Sequence, residues 1–378
     1  MTRQAIKNWA WVHKWSSLIC TAFMLLLCVT GLPLIFSHEI NHLLGKEVEA
    51  PAMPAGTPYA SMDAVVSSAR ALYPGRVVQY VFRDEDEQNS WTVSLGITPT
   101  SDENTKFVAV DSRTTKVLQE PKFDEGFMYV MFKLHVDMFA GFPGMLFLGL
   151  MGVLLLVAII SGVVLYAPFM RKMRFGEIRH QRGEKLKRLD VHNFLGIITL
   201  IWFFVVGLTG VINAWSDLVV KYWQFDQMAQ MTAPYKNLPA PKTLGSLEKA
   251  VQIAKITEPK MTLAFIAFPG TNFTSQHHYG VFMRGNSPVT ARLYKPVLID
   301  AQTSILTDSR DLPWYLATLL ISQPLHFGDY GGMFLKVLWT ILDVLTIAVL
   351  WTGLKLWWKK RNQYVPDIEA RIALSEAY

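Results

Sequence analysis

The chain alternates between long apolar runs and stretches with soluble-protein patterning. Four runs, Trp15 to Ser37, Met145 to Pro168, Phe194 to Trp215 and Phe334 to Trp358, are long and apolar enough to cross a bilayer, which takes about 20 residues. The pattern predicts four transmembrane helices with the lipid bilayer as a partner. The first run follows Arg3, Lys7 and Lys14 as a secretory signal would. It is longer than a signal's apolar region, however, and no small-x-small cleavage site closes it, so it reads as a retained helix. Two long segments between the runs, 39–134 and 217–325, are patterned alike. In the first, helical spacing at Met62–Leu72 precedes two-residue alternation at Val77–Phe82, Trp91–Gly96, Lys106–Val110 and Lys116–Leu118. In the second, a helix near Leu247–Lys255 precedes strands at Thr262–Phe268, Tyr279–Met283, Tyr294–Ile299 and Ser304–Leu306. The expected fold is an integral membrane four-transmembrane-helix bundle with two extracytoplasmic α+β domains, built by internal duplication of a helix-domain-helix unit.

The 378 residues are 51% hydrophobic with two cysteines, which excludes a disordered chain and a disulfide-stapled scaffold. A net charge of +6 with only 17% charged residues does not point to nucleic acid, because the charges cluster beside the apolar runs. Arg171, Lys172, Arg174, Arg179, Arg182, Lys185, Lys187 and Arg188 crowd one short loop, whereas Asp84-Glu85-Asp86-Glu87 lies in the first long segment. Basic loops stay cytoplasmic, so both termini, with Lys359, Lys360 and Arg361 at one of them, are expected in the cytoplasm and both long segments outside it. The implied organisation is 1–38 N-terminus and first span, 39–134 domain 1, 135–170 second span and 171–191 basic loop, then 192–216 third span, 217–325 domain 2, 326–358 fourth span and 359–378 tail.

The repeat extends into the spans. Asp111 and Thr114 recur 189 residues later as Asp300 and Thr303, a spacing suited to a tight hairpin turn. His13 precedes Gly31 by 18 residues, as His192 precedes Gly210; His135 precedes Gly162 by 27, as His326 precedes Gly353. Each half thus places histidines at matching points, and packing the halves about an axis along the membrane normal would face His13 with His192 at one level and His135 with His326 at the other. Two imidazoles per level are too few for zinc, which wants three or four protein ligands. They suffice for haem iron, whose porphyrin supplies the other four nitrogens. Phe23, Phe139, Phe203, Phe204, Trp202, Trp339 and the four glycines could wall the macrocycle.

Other polar residues compete for attention. His38 and His42, four apart with Glu39 between, fall on one helix face and could bind a metal, although the second half has no match and an interfacial role is the plainer reading. His277 and His278 read as loop residues and His180 as solvated. Asp343 lies deep in the last span, with two alternative readings: a bond to Asn213 or a hydroxyl, and a part in proton balance. Cys20 and Cys28, about 12 Å apart along one helix, cannot pair with each other.

The helix–domain–helix duplication, the His13 and His192 helix starts, the Leu134-His135 and Leu325-His326 pairs and the Asp-x-x-Thr hairpins resemble bacterial PepSY-associated transmembrane proteins, most of all the FoxB type of inner-membrane ferric-siderophore reductase. The resemblance covers nearly the whole chain. It implies two bis-histidine b-type haems held by His13, His192, His135 and His326, a ferric siderophore as substrate on the periplasmic face, and a place in a bacterial inner membrane. Arg284, Arg292 and Lys295 with Tyr279 and Tyr294 are the expected substrate surface between the two soluble domains. No dinucleotide fingerprint is present, so electrons are expected from a separate cytoplasmic or membrane donor. Two other classes stay open: a cofactor-free periplasmic sensor or binding protein, and a siderophore or metal permease, for which a lone Asp343 makes a poor polar path.

Overall fold

The computed structural model describes all residues except 84–86, 171–173, 288–290 and 361–378. The acidic run at Asp84–Asp86, together with Arg171, Lys172 and Arg361, lies outside the described residues.

In chain order, α1 (Arg3–Ile35) and α2 (Ser37–Leu43) precede α3 (Met62–Leu72), β1 (Val77–Phe82), β2 (Ser90–Gly96), β3 (Lys106–Asp111) and β4 (Val117–Gln119). Then come α4 (Phe127–Val136), α5 (Gly141–Met170), α6 (Glu184–Ala214), α7 (Ser216–Trp223) and α8 (Ala229–Met231). The remainder holds α9 (Leu247–Thr257), β5 (Thr262–Ala267), β6 (His278–Arg284), β7 (Tyr294–Asp300), β8 (Leu306–Ser309), α10 (Trp314–Phe327) and α11 (Gly332–Lys360). The chain divides into a helical unit (Met1–Ser37, Gly126–Ser216, Ser322–Tyr378) and a sheet unit (His38–Glu125, Asp217–Ile321).

In the helical unit, four segments are long and apolar enough to span a membrane: Arg3–Ile35, Gly141–Pro168, Glu184–Ala214 and Asp329–Trp358. The protein is thus a multi-pass membrane protein. Helices α1 and α6 each pack against both α5 and α11, closing a ring of four. Between α1, α5 and α11 the interior is filled by Cys20, Met24, Cys28, Met151, Leu155 and Leu350. His135 and His326 lie just before the second and fourth spans, which cover Gly141–Pro168 and Asp329–Trp358. Each histidine sits on a short preceding helix, α4 or α10. After α4 the chain breaks where Asp137 Oδ1 accepts from Phe139 N at 2.9 Å and Met138 and Phe139 take positive φ. After α10 it breaks at Gly328, whose φ of 72° is open to glycine and whose Cα lies against the Trp339 ring.

In the sheet unit the two patterned segments join into one antiparallel sheet of order β4-β3-β2-β1-β5-β6-β7-β8, with β1 paired to β5 at its centre. Helices α3 and α9 cover one face, burying Val65, Val66, Val81, Val93, Val108, Val251, Ile266, Val281, Val297 and Ile299. The two helices cap each other. Asp63 of α3 accepts from Ser246 Oγ, Leu247 N and Glu248 N, and Glu248 of α9 accepts from Met62 N, so each carboxylate satisfies N–H groups that the other helix start leaves open. The hairpin aspartates act as expected: Asp111 Oδ1 accepts from Arg113 N and Thr114 N, and Asp300 Oδ1 from Gln302 N and Thr303 N. Burial raises both carboxyls, but these bonds outweigh it and hold both below the ordinary carboxylate value. The last strand begins at Leu306 rather than Ser304, because Ser304 takes a left-handed φ of 56° in the turn, as Thr115 does at 58°.

Candidate functional site: four seated imidazoles and an aromatic cavity

Each predicted histidine is seated in the same way on a neighbouring helix. His13 Nδ1 lies 2.9 Å from Ala158 O and 3.3 Å from Ser161 Oγ on α5. His192 Nδ1 lies 3.0 Å from Val349 O and 3.2 Å from Thr352 Oγ1 on α11. His326 Nδ1 lies 3.0 Å from Val206 O and 3.3 Å from Thr209 Oγ1 on α6. His135 Nδ1 lies 3.0 Å from Thr30 Oγ1 on α1, with the Leu27 carbonyl beside it.

The hydroxyls decide the tautomer. Ser161, Thr352, Thr209 and Thr30 donate their hydrogens to the carbonyls four residues back in their own helices, those of Val157, Ala348, Val205 and Leu26, at 2.7, 2.8, 2.7 and 2.8 Å. Each therefore meets the imidazole with a lone pair, as does the adjacent carbonyl, and only an N–H can satisfy both. The proton resides on Nδ1 and the lone pair on Nε2, the arrangement of a metal-ligating histidine whose orientation is set by its outer partner.

A glycine completes each seat. Gly162, Gly353, Gly210 and Gly31 face Cε1 of His13, His192, His326 and His135, and a Cβ there would lie 3.0, 3.2, 3.0 and 3.2 Å from it. The sequence reading noted these glycines by spacing but missed the hydroxyls. The signal was present: Ser161-Gly162, Thr352-Gly353, Thr209-Gly210 and Thr30-Gly31 place a hydroxyl–glycine pair in every span.

One of the two expected pairs, His135 with His326, is brought together in the structure. The His135 and His326 rings lie 6.2 Å apart between centroids at 61°. In the helical unit the indole N–H groups of Trp202, Trp215 and Trp339 and Asn213 Nδ2 are buried donors with no acceptor among the described residues, and Trp215 Nε1 lies against Gly149 of α5. Asp343 does not bond Asn213, whose Oδ1 accepts from Ser322 at 2.8 Å; its neighbour is Cys28.

The matched family model, the PepSY-associated TM region, covers residues 10–360, nearly the whole chain. This chain belongs to that family. It is also 26% identical over 267 residues to a Pseudomonas aeruginosa protein described as uncharacterized, an alignment covering 64% of this chain and 66% of that protein's length.

The sheet unit holds a cavity of about 560 Å³ on the sheet face opposite α3 and α9. Tyr80, Phe82, Phe107, Phe123, Phe265 and Tyr294 line it with Arg83, Arg284, Asp102 and Asp124. The aromatic rings touch in series: Phe107 to Phe123 at 4.8 Å, Phe82 to Phe107 at 6.4 Å and Phe265 to Tyr294 at 5.6 Å. Burial, and then the neighbouring Arg284 charge, push Arg83 below the ordinary guanidinium value, and among the described residues its Nε meets no acceptor.

The structure corrects part of the expected substrate surface. Tyr279 is 2% exposed, packs on Phe268 and donates to Gly245 O, so it belongs to the helix-covered core. The reason is parity: five residues apart on one strand, Tyr279 and Arg284 point to opposite faces. Lys295 shares Tyr279's face and is held by Glu258 at 2.9 Å and Asp311 at 3.2 Å. Arg292 is half-buried in the turn before β7 and is not among the lining residues. Arg284 and Tyr294, paired across β6 and β7, do reach the cavity. His278 is not a surface residue; it is fully buried, with Nδ1 2.6 Å from Ser275 Oγ and its ring against Tyr235.

Proposed function

We propose that the protein is a bis-haem membrane reductase that carries electrons across a bacterial inner membrane to a ferric siderophore in the periplasm. The observation that carries this reading is the fourfold seat with its enforced Nδ1–H tautomer. His13 and His192 would hold one haem, and His135 and His326 the other. The fit can be tested on the 6.2 Å between the His135 and His326 centroids. With metal–nitrogen bonds of about 2 Å and ring nitrogens about 1 Å from the ring centre, two imidazoles facing across one iron have centroids roughly 6 Å apart. The buried N–H groups of Trp202, Trp339 and Asn213, which meet no acceptor among the described residues, suit the carboxylates that a haem carries at its edge. When bound, the two porphyrin irons supply reversible one-electron chemistry.

The chain's own residues do the rest. The carbonyl and hydroxyl at each Nδ1 fix the ring plane and raise ligand basicity. Cys20, Met24, Met151 and Leu155 keep water out of the bundle core. Arg83 and Arg284 offer charge, and the aromatic wall offers area, to an anionic ferric chelate. Its hard oxygen donors prefer Fe(III), so reduction to Fe(II) loosens the iron and favours release. The basic loop before α6, where Arg179 grips the buried Asp190 through bonds of 2.9 and 2.6 Å, is assigned to the cytoplasm with both termini, and the sheet unit to the periplasm. The matching seats, hairpins and reciprocal caps support an internal duplication as their origin. The electron donor would be a separate cytoplasmic or membrane protein or cofactor.

The test is stopped-flow reoxidation. Dithionite-reduced protein in detergent is mixed with several ferric siderophores and with an iron-free siderophore. Rapid oxidation by at least one ferric chelate, with Fe(II) trapped by ferrozine, supports the reading. Oxidation by none of them defeats it.

A further inference from the structure

We propose that the segment directly after the first span is an exchangeable binding site for a divalent first-row transition cation, formed by His42, Glu47 and Glu49 with His38 beside them.

The local fold makes the site. His38 and His42 lie four apart on α2, hence on one helix face. The helix ends in a left-handed glycine, Gly45 at φ 63°, with Gly45 N bonded to His42 O at 2.9 Å and Lys46 N to Asn41 O at 2.9 Å. That cap folds the following chain back over α2. Glu47 and Glu49, two apart, then meet the histidine face. His38 Nδ1 lies 2.6 Å from Glu47 Oε1 and His42 Nε2 3.9 Å from Glu49 Oε1. One ligand atom from each of His42, Glu47 and Glu49 falls within 4.8 Å of the others.

The donor set selects the cation. Two carboxylates balance a double charge, imidazole favours zinc or ferrous iron over magnesium and calcium, and the lack of sulfur disfavours Cu(I). A metal about 2.1 Å from each ligand puts them roughly 3.4 Å apart, so the donors need to close by only about an ångström. His42 and Glu49 are 62% and 76% exposed at the side chain, so they can make that adjustment and the site can load from solvent. Glu39, between the histidines, is not among the converging groups, and its Oε2 is buried. The H-E-x-x-H spacing here therefore contributes one converging ligand, His42, and sets no general base beside it.

The inference does not depend on the haem reading. The test uses full-length protein as purified in detergent, washed with EDTA and dialysed against zinc chloride, with zinc and haem both measured per chain. Wild type is expected to bind one zinc saturably. His42→Ala and Glu49→Gln are expected to lose about tenfold or more in zinc affinity at unchanged haem content, and His277→Ala, in another loop, to behave as wild type. Zinc uptake that is absent in wild type, or identical in wild type, His42→Ala and Glu49→Gln, overturns the proposal. Absence of haem in all samples bears only on the proposed function.

Discussion

Gly162 and Gly210 provide a stringent probe of the histidine seats. An alanine Cβ at either position would lie 3.0 Å from Cε1 of His13 or His326, about 0.5–1 Å inside the optimal carbon–carbon separation of about 3.5–4 Å. In a haem-free chain the imidazole can swing away from the intruding methyl; in a ligated chain it cannot, so the strain falls on ligation. Overpacking of this size costs about 1–3 kcal/mol, a roughly 5- to 150-fold loss of haem affinity at that site. Folding should not suffer, since alanine favours a helix interior over glycine by about 1 kcal/mol. The assay is haem transfer from purified variants to excess apomyoglobin, followed in the Soret region. Gly162→Ala and Gly210→Ala should each release one haem quickly and keep the other. Gly196→Ala, where nothing lies within 4 Å of the new methyl, should match wild type. If both seat variants release haem no faster than Gly196→Ala, the glycines do not serve the imidazoles and the seat argument fails.

Removing one hydroxyl acceptor should do less: Thr209→Val leaves the Val206 carbonyl 3.0 Å from His326 Nδ1, so haem affinity should fall by about fivefold, the worth of one net hydrogen bond, with the haem midpoint potential shifted; loss of the haem altogether would contradict this. Arg284→Ala combined with Arg83→Ala should weaken binding of anionic ferric chelates at least about tenfold, two charge-assisted contacts being lost, while haem content stays constant; unchanged KM for every chelate would remove the cavity from the account. Burial holds His278 at about 4 against about 6.5 when unfolded. Both states are neutral above that window, whereas between pH 6.5 and 4 the unfolded chain takes up a proton that the folded chain refuses. Stability is therefore lost as pH falls, by about 3 kcal/mol across the window. Thermal melts between pH 7 and 4.5 should show this slope, and His278→Asn should flatten it; an equal slope in the variant would refute the assignment.

The strands were legible because alternation with period two is strong where one face is covered: β1 and α3 fall at their expected bounds, and the others within a few residues apart from β8. The union of the two segments through β1 and β5 was not legible, because a pairing between Tyr80 and Ala267 leaves no local trace. Helices α4 and α10 were missed because Phe127–Val136 and Trp314–Phe327 are apolar but too short to span. The four histidines were visible through the spacing of the repeat. Their seats were not, since a hydroxyl that bonds its own helix looks like ordinary span composition until the imidazole is placed on it. Tyr279 was misassigned because aromaticity was weighed without strand parity, which sends it into the core with Val281 and Met283.

The central claim is most directly tested by haem quantitation. Protein purified gently from haem-replete cells should carry two haems per chain with a six-coordinate, bis-imidazole optical and EPR signature. His13→Ala or His192→Ala should lose one haem and His135→Ala or His326→Ala the other. A colourless wild-type protein, or histidine variants that retain both haems, would contradict the account.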